Sequence, residues 1–594
     1  MKLCQLEIEC FRGINRCKLF FPDHVVLIGD NNTGKSTILE ALDLTLGPDR
    51  LNRRSPIDEH DFYQGQYLQR GEDESPKIKI EATITDLTEE QRNRFLDYLE
   101  WWNNSEQVLH TSPPAESVDN EVIEAALRIT FIGKYDPEED DFLVNTYFAR
   151  SLEESDNPQA FTKKDKQHCG FLYLRSLRTG SRALSLEHGS LLDIILRLKE
   201  IRPQMWERTI NGLNDFDVAS DPELGISGVL KSIETAMQKY VPRDWGVSPH
   251  LKISNLTREH LRKTITAFIA TGASEHAAPF YRQGTGTINL LVLAMLSQIA
   301  EDKQNVIFAM EEPETAIPPY AQKRIVHEIQ NLSAQSLFTS HSPYVLEEFR
   351  LENILVLSRD TKGELTQAIV QLPNSIKHKR FRQEFRARFC EGLLSRRILI
   401  VEGATEATAM PSAARRLSEL DPTNYSSLEA LGLCIIDAGT DSQIKELSKL
   451  YKELGKQIFG LSDLQTPKDQ AEIEAQVTKL FMHNEKGFEN LVLKNTTVGA
   501  IERFIDQLVW PQHLQHEYPN PKDNPIDALS DYFRWSKGNW SIAEFLFQCS
   551  AEEIPKWIRD TCKDLRTLCQ QATDQTAEIK VPATEEEEGS SDLV

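Results

Sequence analysis

The sequence predicts an α/β protein in two successive parts. The first is a mixed sheet that carries a P-loop and is interrupted by a helical insertion, and the second is a smaller parallel α/β domain. Three observations predict this. The apolar strand Val25-Val26-Leu27-Ile28 runs into the turn GDNNTGKST at 29–37, and helical apolar spacing follows over 38–46, which is the strand, loop and helix context of a phosphate-binding loop. Three β-like runs at 77–84, 126–133 and 142–149 suggest an antiparallel sheet beside the P-loop strands. From Arg397 onward, apolar strands alternate with helices, as in a parallel sheet.

Each element follows from its pattern. Leu3, Leu6 and Ile8 punctuate a first strand, which Phe11-Arg12-Gly13-Ile14 turns. A helix is expected over 89–101 and a short strand at Phe171-Leu172-Tyr173-Leu174, ahead of Arg175, Arg178 and Arg182. Residues 186–280 are mostly helical by period and read as an insertion, either a dimerisation arm or an ordinary helical subdomain. YRQGTGT at 281–287 leads into an apolar helix over 288–300, then a strand at 306–310, a helix at 320–332 and a strand at 336–339. Segments 353–357 and 365–371 complete a hairpin-like pair. In the second part, strands at 397–401, 433–436 and 457–461 are separated by helices at 404–419 and 441–454. The expected domains are therefore 1–185 and 281–373 (the P-loop part, split by the 186–280 insertion), a basic linker at 374–396, a second domain at 397–572 and an acidic, disordered tail at 573–594.

Bulk properties narrow the class. A chain of 594 residues exceeds one core. The hydrophobic fraction of 40% and charged fraction of 27% suit a soluble globular protein. No run of 18 apolar residues exists; the nearest, 288–299, contains Asn289, Ser297 and Gln298, so no membrane span is expected. The start alternates like a strand and lacks a signal peptide's apolar core. The nine cysteines are scattered without a CxxC, pointing to a cytoplasmic, reduced protein with no zinc site or disulfide framework. A net charge of −24 argues against non-specific nucleic-acid binding over the whole surface and leaves room for a local basic groove.

Two candidate sites emerge. In the first, the amides of a loop containing Asn32, Gly34 and Thr37 face a triphosphate, Lys35 reaches the β/γ-phosphates and Ser36 holds Mg²⁺. VIFAMEEPE is an apolar strand ending in carboxylates, as a Walker B element requires. Glu311 is expected to bind the Mg²⁺ shell, where Asp is commoner, and Glu312 to orient or activate the attacking water. Gly284 and Gly286 precede a helix and could face a phosphate, and His341 follows a strand where a γ-phosphate-sensing switch would lie. In the order FRGI, GDNNTGKST, QGTG, EEPET and TSHSP, these patches resemble the ABC-type ATPase heads of SMC and recombination-repair proteins. That resemblance implies ATP as cofactor and composite sites between two heads, hence a homodimer or higher oligomer. The turn at 283–286 departs from the usual Ser-Gly-Gly form, with Thr285 the candidate for the serine.

In the second site, RILIVEGATE ends a strand in Glu402, with Glu406 at the start of the next helix, and Asp437 and Asp463 end the two following strands. Carboxylates at one edge of a parallel sheet repel one another unless a cation is present, which suits Mg²⁺ or Mn²⁺ and phosphodiester chemistry. These residues resemble a Toprim domain, although Asp463-Leu464-Gln465 lacks the second acid of Asp-x-Asp. Glu502 could supply a carboxylate from elsewhere, and Lys537 a positive charge to the leaving oxygen.

An ABC-type head followed by Toprim resembles the OLD (overcoming lysogenization defect) family of ATP-dependent nucleases, over about 1–370 and 395–550. The resemblance implies a Mg²⁺- or Mn²⁺-dependent DNA endonuclease under ATP control, with Lys537 in its late Lys-containing motif. It also implies a place in phage defence or DNA processing, and in some members a helicase or a reverse-transcriptase/non-coding-RNA partner. The alternative is an SMC/repair-type DNA-binding ATPase with an inactive Toprim domain, which the Asp463-Leu464-Gln465 departure favours. A transporter-type ATPase leaves the carboxylates unexplained.

Overall fold

A computed structural model describes residues 1–48, 50–52, 56–68, 76–112, 123–174, 186, 190–198, 202–214, 226–237, 257–270, 277–284, 291, 294–295, 298, 306–315, 318–372, 386–536 and 541–578. Thr285, Gly286, Lys537 and most of the helix expected over 288–300 lie outside these residues. The chain passes between two compact units. One comprises Met1–Leu6, Leu39–Asp58 and Leu68–Thr339; the other comprises Glu7–Ile38, Glu59–Tyr67 and Ser340–Val594.

In the first unit the expected antiparallel sheet forms around the long strand Ile123–Asp136, which pairs with Lys77–Thr85. It also pairs with Leu99–Asn103 along its first residues and with Asp141–Phe148 along the rest. The helix expected over 89–101 ends early. Glu89–Arg94 is helical, started by a capping box in which Thr88 and Gln91 satisfy each other's backbone N–H. One 3-10 turn follows, and Leu99–Asn103 is a strand. Tertiary contacts override local helical spacing here: Glu100, fully buried, is held 2.9 Å from Arg128 on the neighbouring strand, a partner a helix would not reach.

A parallel set in the same unit consists of Ile307–Glu311 between Phe171–Leu174 and Gln335–Thr339. Phe171–Leu174 and residues 307–310 are continuous apolar runs, as in a parallel sheet covered on both faces, whereas Gln335–Thr339 is wholly buried although it carries Gln335, Ser336 and Thr339. The insertion holds helices Leu191–Leu198, Arg202–Asn214, Ile226–Met237 and Arg258–Thr264. They accompany a small core of Leu186, Trp206 and Leu261. The short antiparallel pair Phe268–Ala270 and Ala277–Pro279 was not expected in a helical stretch.

In the second unit His24–Ile28 pairs in parallel with Ile354–Arg359. Ile354–Arg359 and Glu364–Ile369 form the expected hairpin-like pair, and the latter continues in parallel onto Ile14–Phe20. The C-terminal sheet is wholly parallel in the order Leu433–Asp437, Arg397–Val401, Gln457–Ser462, Lys479–Met482. The fourth strand was not foreseen, because four residues with an exposed Lys479 give too short an apolar run to stand out. Helices Ala404–Leu420 and Asp441–Glu453 make the crossovers. The helical remainder adds Phe488, Phe545 and Ile558 to one core with Leu399, Phe459 and Ala413. The final helix, Lys556–Glu578, runs past the expected start of the tail at 573. Helix Arg386–Leu394 is tied through its first half: Arg386 Nη2 donates to Phe349 O at 3.1 Å, and Phe389 O accepts from Tyr451 Oη at 3.1 Å. Among the described residues no helix is long and apolar enough to cross a membrane.

Candidate functional site

The P-loop lies in the second unit, between strand His24–Ile28 and helix Lys35–Leu46. Gly29 and Gly34 have φ of +156° and +113°, and Asn32 has φ of 71°. A side chain at Gly29 would place its Cβ 2.6 Å from Leu357 O, and one at Gly34 would press on Ile14. The loop is therefore seated where only glycine fits, leaving its amides as the lining of an anion cradle. Lys35 is buried, and its Nζ donates to Gly29 O and Asp30 O at 2.9 Å each, so the ammonium lies over the loop itself. Ser36 and Asn32 are exposed and Thr37 half-buried. This donor set fits a triphosphate with Mg²⁺. His341 belongs to the same unit and is exposed; the preceding residue, Ser340, donates its N–H to Leu27 O at 3.4 Å, which sets this segment beside the P-loop strand. Sequence reasoning missed Lys456, a residue whose charged neighbours include Asp30 and Lys35; burial pushes its amine down.

Glu311 and Glu312 lie in the first unit, at the carboxyl end of strand Ile307–Glu311. Glu312 donates its N–H to Thr339 O at 2.9 Å and has φ of 42°, a left-handed conformation that costs a side-chain-bearing residue about 1 kcal/mol or more. Its carbonyl accepts from Thr315 N at 3.1 Å, fixing the EEPET turn. Glu311 Oε1 accepts from Tyr173 Oη at 2.8 Å, a contact no motif announced. Gly284 is exposed and follows the turn Phe280–Arg282.

The carboxylates gather at the carboxyl edge of the C-terminal sheet. Glu402 follows strand Arg397–Val401, and Glu406 sits in the first turn of helix Ala404–Leu420. Register pairs Val401 with Leu461, which brings Asp463 alongside: its N–H donates to Glu402 Oε2 at 3.1 Å. Burial pushes the Glu406 carboxyl up to about 7, and the like charges of Glu489, Asp463 and Glu402 push the same way. Glu489 was missed by sequence reasoning; its Oε1 accepts from Thr405 Oγ1 at 2.8 Å, and its only signal was an acid in the first turn of helix Phe488–Lys494. Also missed was His483, buried between Phe488 and Trp557, with Nε2 3.1 Å from Asp463 Oδ1 but not aligned for a hydrogen bond. Burial pushes this imidazole down, which favours the neutral ring. Asp463 Oδ2 accepts from Gly487 N at 2.7 Å.

Asp437 ends the neighbouring strand, paired in register with Val401, and its Oδ1 accepts from Gly439 N at 2.7 Å. Glu502 is half-buried on helix Val498–Ile505. Neither is among the charges that act most on Glu406. Among the described residues no group of three or more His, Cys, Asp or Glu side chains is arranged to hold a metal ion. The donor chemistry, acidic oxygens forced together under burial, nevertheless fits a hard cation.

Three segments of the chain match known families. Residues 1–113 match a family described as a protein of unknown function, DUF2813; residues 181–346 match an AAA ATPase domain; residues 393–464 match an Overcoming lysogenization defect protein-like TOPRIM domain. The chain is 20% identical to the Old nuclease of Escherichia phage P2 over 489 residues, 78% of this chain and 77% of that relative. It is 51% identical to the uncharacterized protein YbjD of Escherichia coli K12, over 49 residues only, 8% of this chain and 9% of that one. Among solved structures, the C-terminal region of the Burkholderia pseudomallei OLD protein is 17% identical, covering 30% of this chain and 98% of that one, at a TM-score of 0.24. At that score the fold rests on the strand order above. The chain is thus similar to AAA ATPase domains over residues 181–346 and, after them, to Overcoming lysogenization defect protein-like TOPRIM domains over residues 393–464.

Proposed function

We propose that this chain is an ATP-regulated, metal-dependent DNA endonuclease that nicks or cleaves DNA. The observation that carries the proposal is the gathering of Glu402, Glu406 and Asp463, with Glu489, at the carboxyl edge of one parallel sheet, under burial that penalises their charge. Glu402, Glu406 and Asp463 are the residues that would hold a divalent cation, Mg²⁺ or Mn²⁺, with Asp437 and Glu502 as outer candidates. When bound, such a cation stabilises the attacking and leaving oxygens of a phosphodiester. The chain's own residues do the rest: Asp463 N–H orients Glu402, Thr405 orients Glu489, and Lys537 would meet the leaving oxygen. For ATP, the candidate residues of the second unit are Lys35 and Ser36, to hold Mg²⁺–ATP, and His341, to sense the phosphate; those of the first unit are Glu311, for the Mg²⁺ shell, Glu312, to orient the water, and Gly284, with Gly286 of the same sequence motif as a further phosphate candidate. On this reading the protein works in the cytoplasm as a homodimer or higher oligomer. ATP docks the heads and sets access to the nuclease site, in phage defence or DNA processing. A helicase or a reverse transcriptase with its RNA are the partner classes.

A second reading, an SMC/repair-type DNA-binding ATPase with an inactive TOPRIM domain, is favoured by the Asp463-Leu464-Gln465 sequence, which lacks the second acid of Asp-x-Asp. One experiment separates the two. Supercoiled plasmid is incubated with the protein and Mg²⁺ or Mn²⁺, with and without ATP, beside Glu402→Ala. Metal-dependent nicking lost in the variant supports the nuclease; intact plasmid under every condition supports the second reading.

A further inference from the structure

We infer that Tyr173 is a positioning residue of the ATPase site: its hydroxyl holds the Glu311 carboxylate in the orientation that an aspartate would adopt unaided. This rests on the reading of Glu311 as the carboxylate of the Mg²⁺ shell. Glu311 carries one more methylene, and so one more rotatable bond, than the Asp commoner at the end of such a strand. An unrestrained glutamate loses more rotamer freedom when it is fixed. The strand register supplies the restraint. Phe171–Leu174 runs parallel to Ile307–Glu311 with Tyr173 opposite Ala309. Paired residues share a face and side chains alternate, so Tyr173, Ala309 and Glu311 stand on one side of the sheet. Ala309 ends at its methyl, and the Tyr173 ring passes it toward the strand's carboxyl end. There the hydroxyl donates to Glu311 Oε1 at 2.8 Å. A hydrogen bond to an ionised acceptor is about twice as strong as a neutral one.

The same geometry explains why tyrosine and glutamate belong together. An aspartate at 311 would fall about one carbon–carbon bond, roughly 1.5 Å, short of this hydroxyl. Phe171–Leu174 is therefore more than the outer strand of the parallel set. It carries a side chain that acts on the site through Glu311.

The test measures ATP affinity by calorimetry on the full-length chain, once with Mg²⁺ and once with EDTA. Tyr173→Phe removes only the hydroxyl. The expected result is unchanged affinity in EDTA and an about tenfold loss of the gain that Mg²⁺ brings, from a hydrogen bond to a charged group. The Mg²⁺ concentration for half-maximal turnover should rise by a similar factor. A purely structural role would instead lower both affinities together and lower the melting temperature. The second arm adds Tyr173→Phe to Glu311→Asp, where the hydroxyl is out of reach, and the tyrosine change should then have no further effect. An equal loss in both backgrounds overturns the inference. Glu311→Gln is the control for the underlying reading. If it keeps the full Mg²⁺ gain, Glu311 is not in the metal shell. If it loses the gain while Tyr173→Phe keeps it, only the positioning role falls.

Discussion

Glu406→Gln bears directly on the carboxylate site. Burial, together with the charges of Glu489, Asp463 and Glu402, raises this carboxyl from an ordinary 4.5 to about 7. A difference of that size corresponds to about 3 kcal/mol between the protonation states. The sign follows from which state holds the proton. Folded protein binds it more tightly than unfolded chain, so the contribution to stability is full below pH 4.5 and is lost as pH rises through about 7. At pH 8, without divalent cation, the wild type carries an ionised, buried Glu406 among other acids. Gln keeps the size and removes the charge. The variant should therefore be more stable at pH 8 by up to about 3 kcal/mol, and the two should converge by about pH 5. For a domain of this size that is a difference of several degrees, at roughly 2–4 °C per kcal/mol. Saturating Mg²⁺ should reverse the order, because it offsets the repulsion in the wild type and finds a weaker ligand in the variant. Thermal unfolding in EDTA from pH 5 to 8, repeated with Mg²⁺, reads all of this. A melting-temperature difference that does not change across that range would refute the argument.

Two further predictions concern other parts of the chain. Lys35→Ala should reduce phosphate release from ATP to background while leaving thermal unfolding nearly unchanged, since Lys35 Nζ bonds to carbonyls of its own loop; undiminished hydrolysis would remove the P-loop assignment. Arg128→Met should destabilise the first unit by about 3–5 kcal/mol in urea unfolding, because Glu81 and Glu100 would be left buried without their shared cation. A loss below about 1 kcal/mol would refute the argument that Arg128 offsets their burial.

The P-loop was legible because phosphate binding needs a fixed local spacing, and local spacing is what a sequence displays. Strand His24–Ile28, the loop and helix Lys35–Leu46 stand where the pattern placed them. The same holds for Arg397–Val401 with Glu402 and Glu406 after it, an arrangement made within ten residues. What was misread was set by distant partners. The helix expected over 89–101 became a strand from Leu99 because Glu100 meets Arg128 across the sheet. Strand Lys479–Met482 is too short to be seen without the parallel neighbour Gln457–Ser462 that it pairs with.

The candidate sites divide along the same line. Sequence by itself placed an ATPase part before a Toprim-like part and proposed Lys35, Glu311, Glu402, Glu406 and Asp463 as candidate site residues. Only the tertiary structure showed that Tyr173 reaches Glu311 across parallel strands, and that Glu489 and His483 crowd the Glu402 set from a later strand end and helix start. The physical reason is that a motif records groups that one stretch of backbone can aim at a common point. Side chains that restrain or repel those groups arrive from elements 20 to 140 positions away, and only strand register and helix packing bring them there (Tyr173 lies 138 residues from Glu311 in the chain).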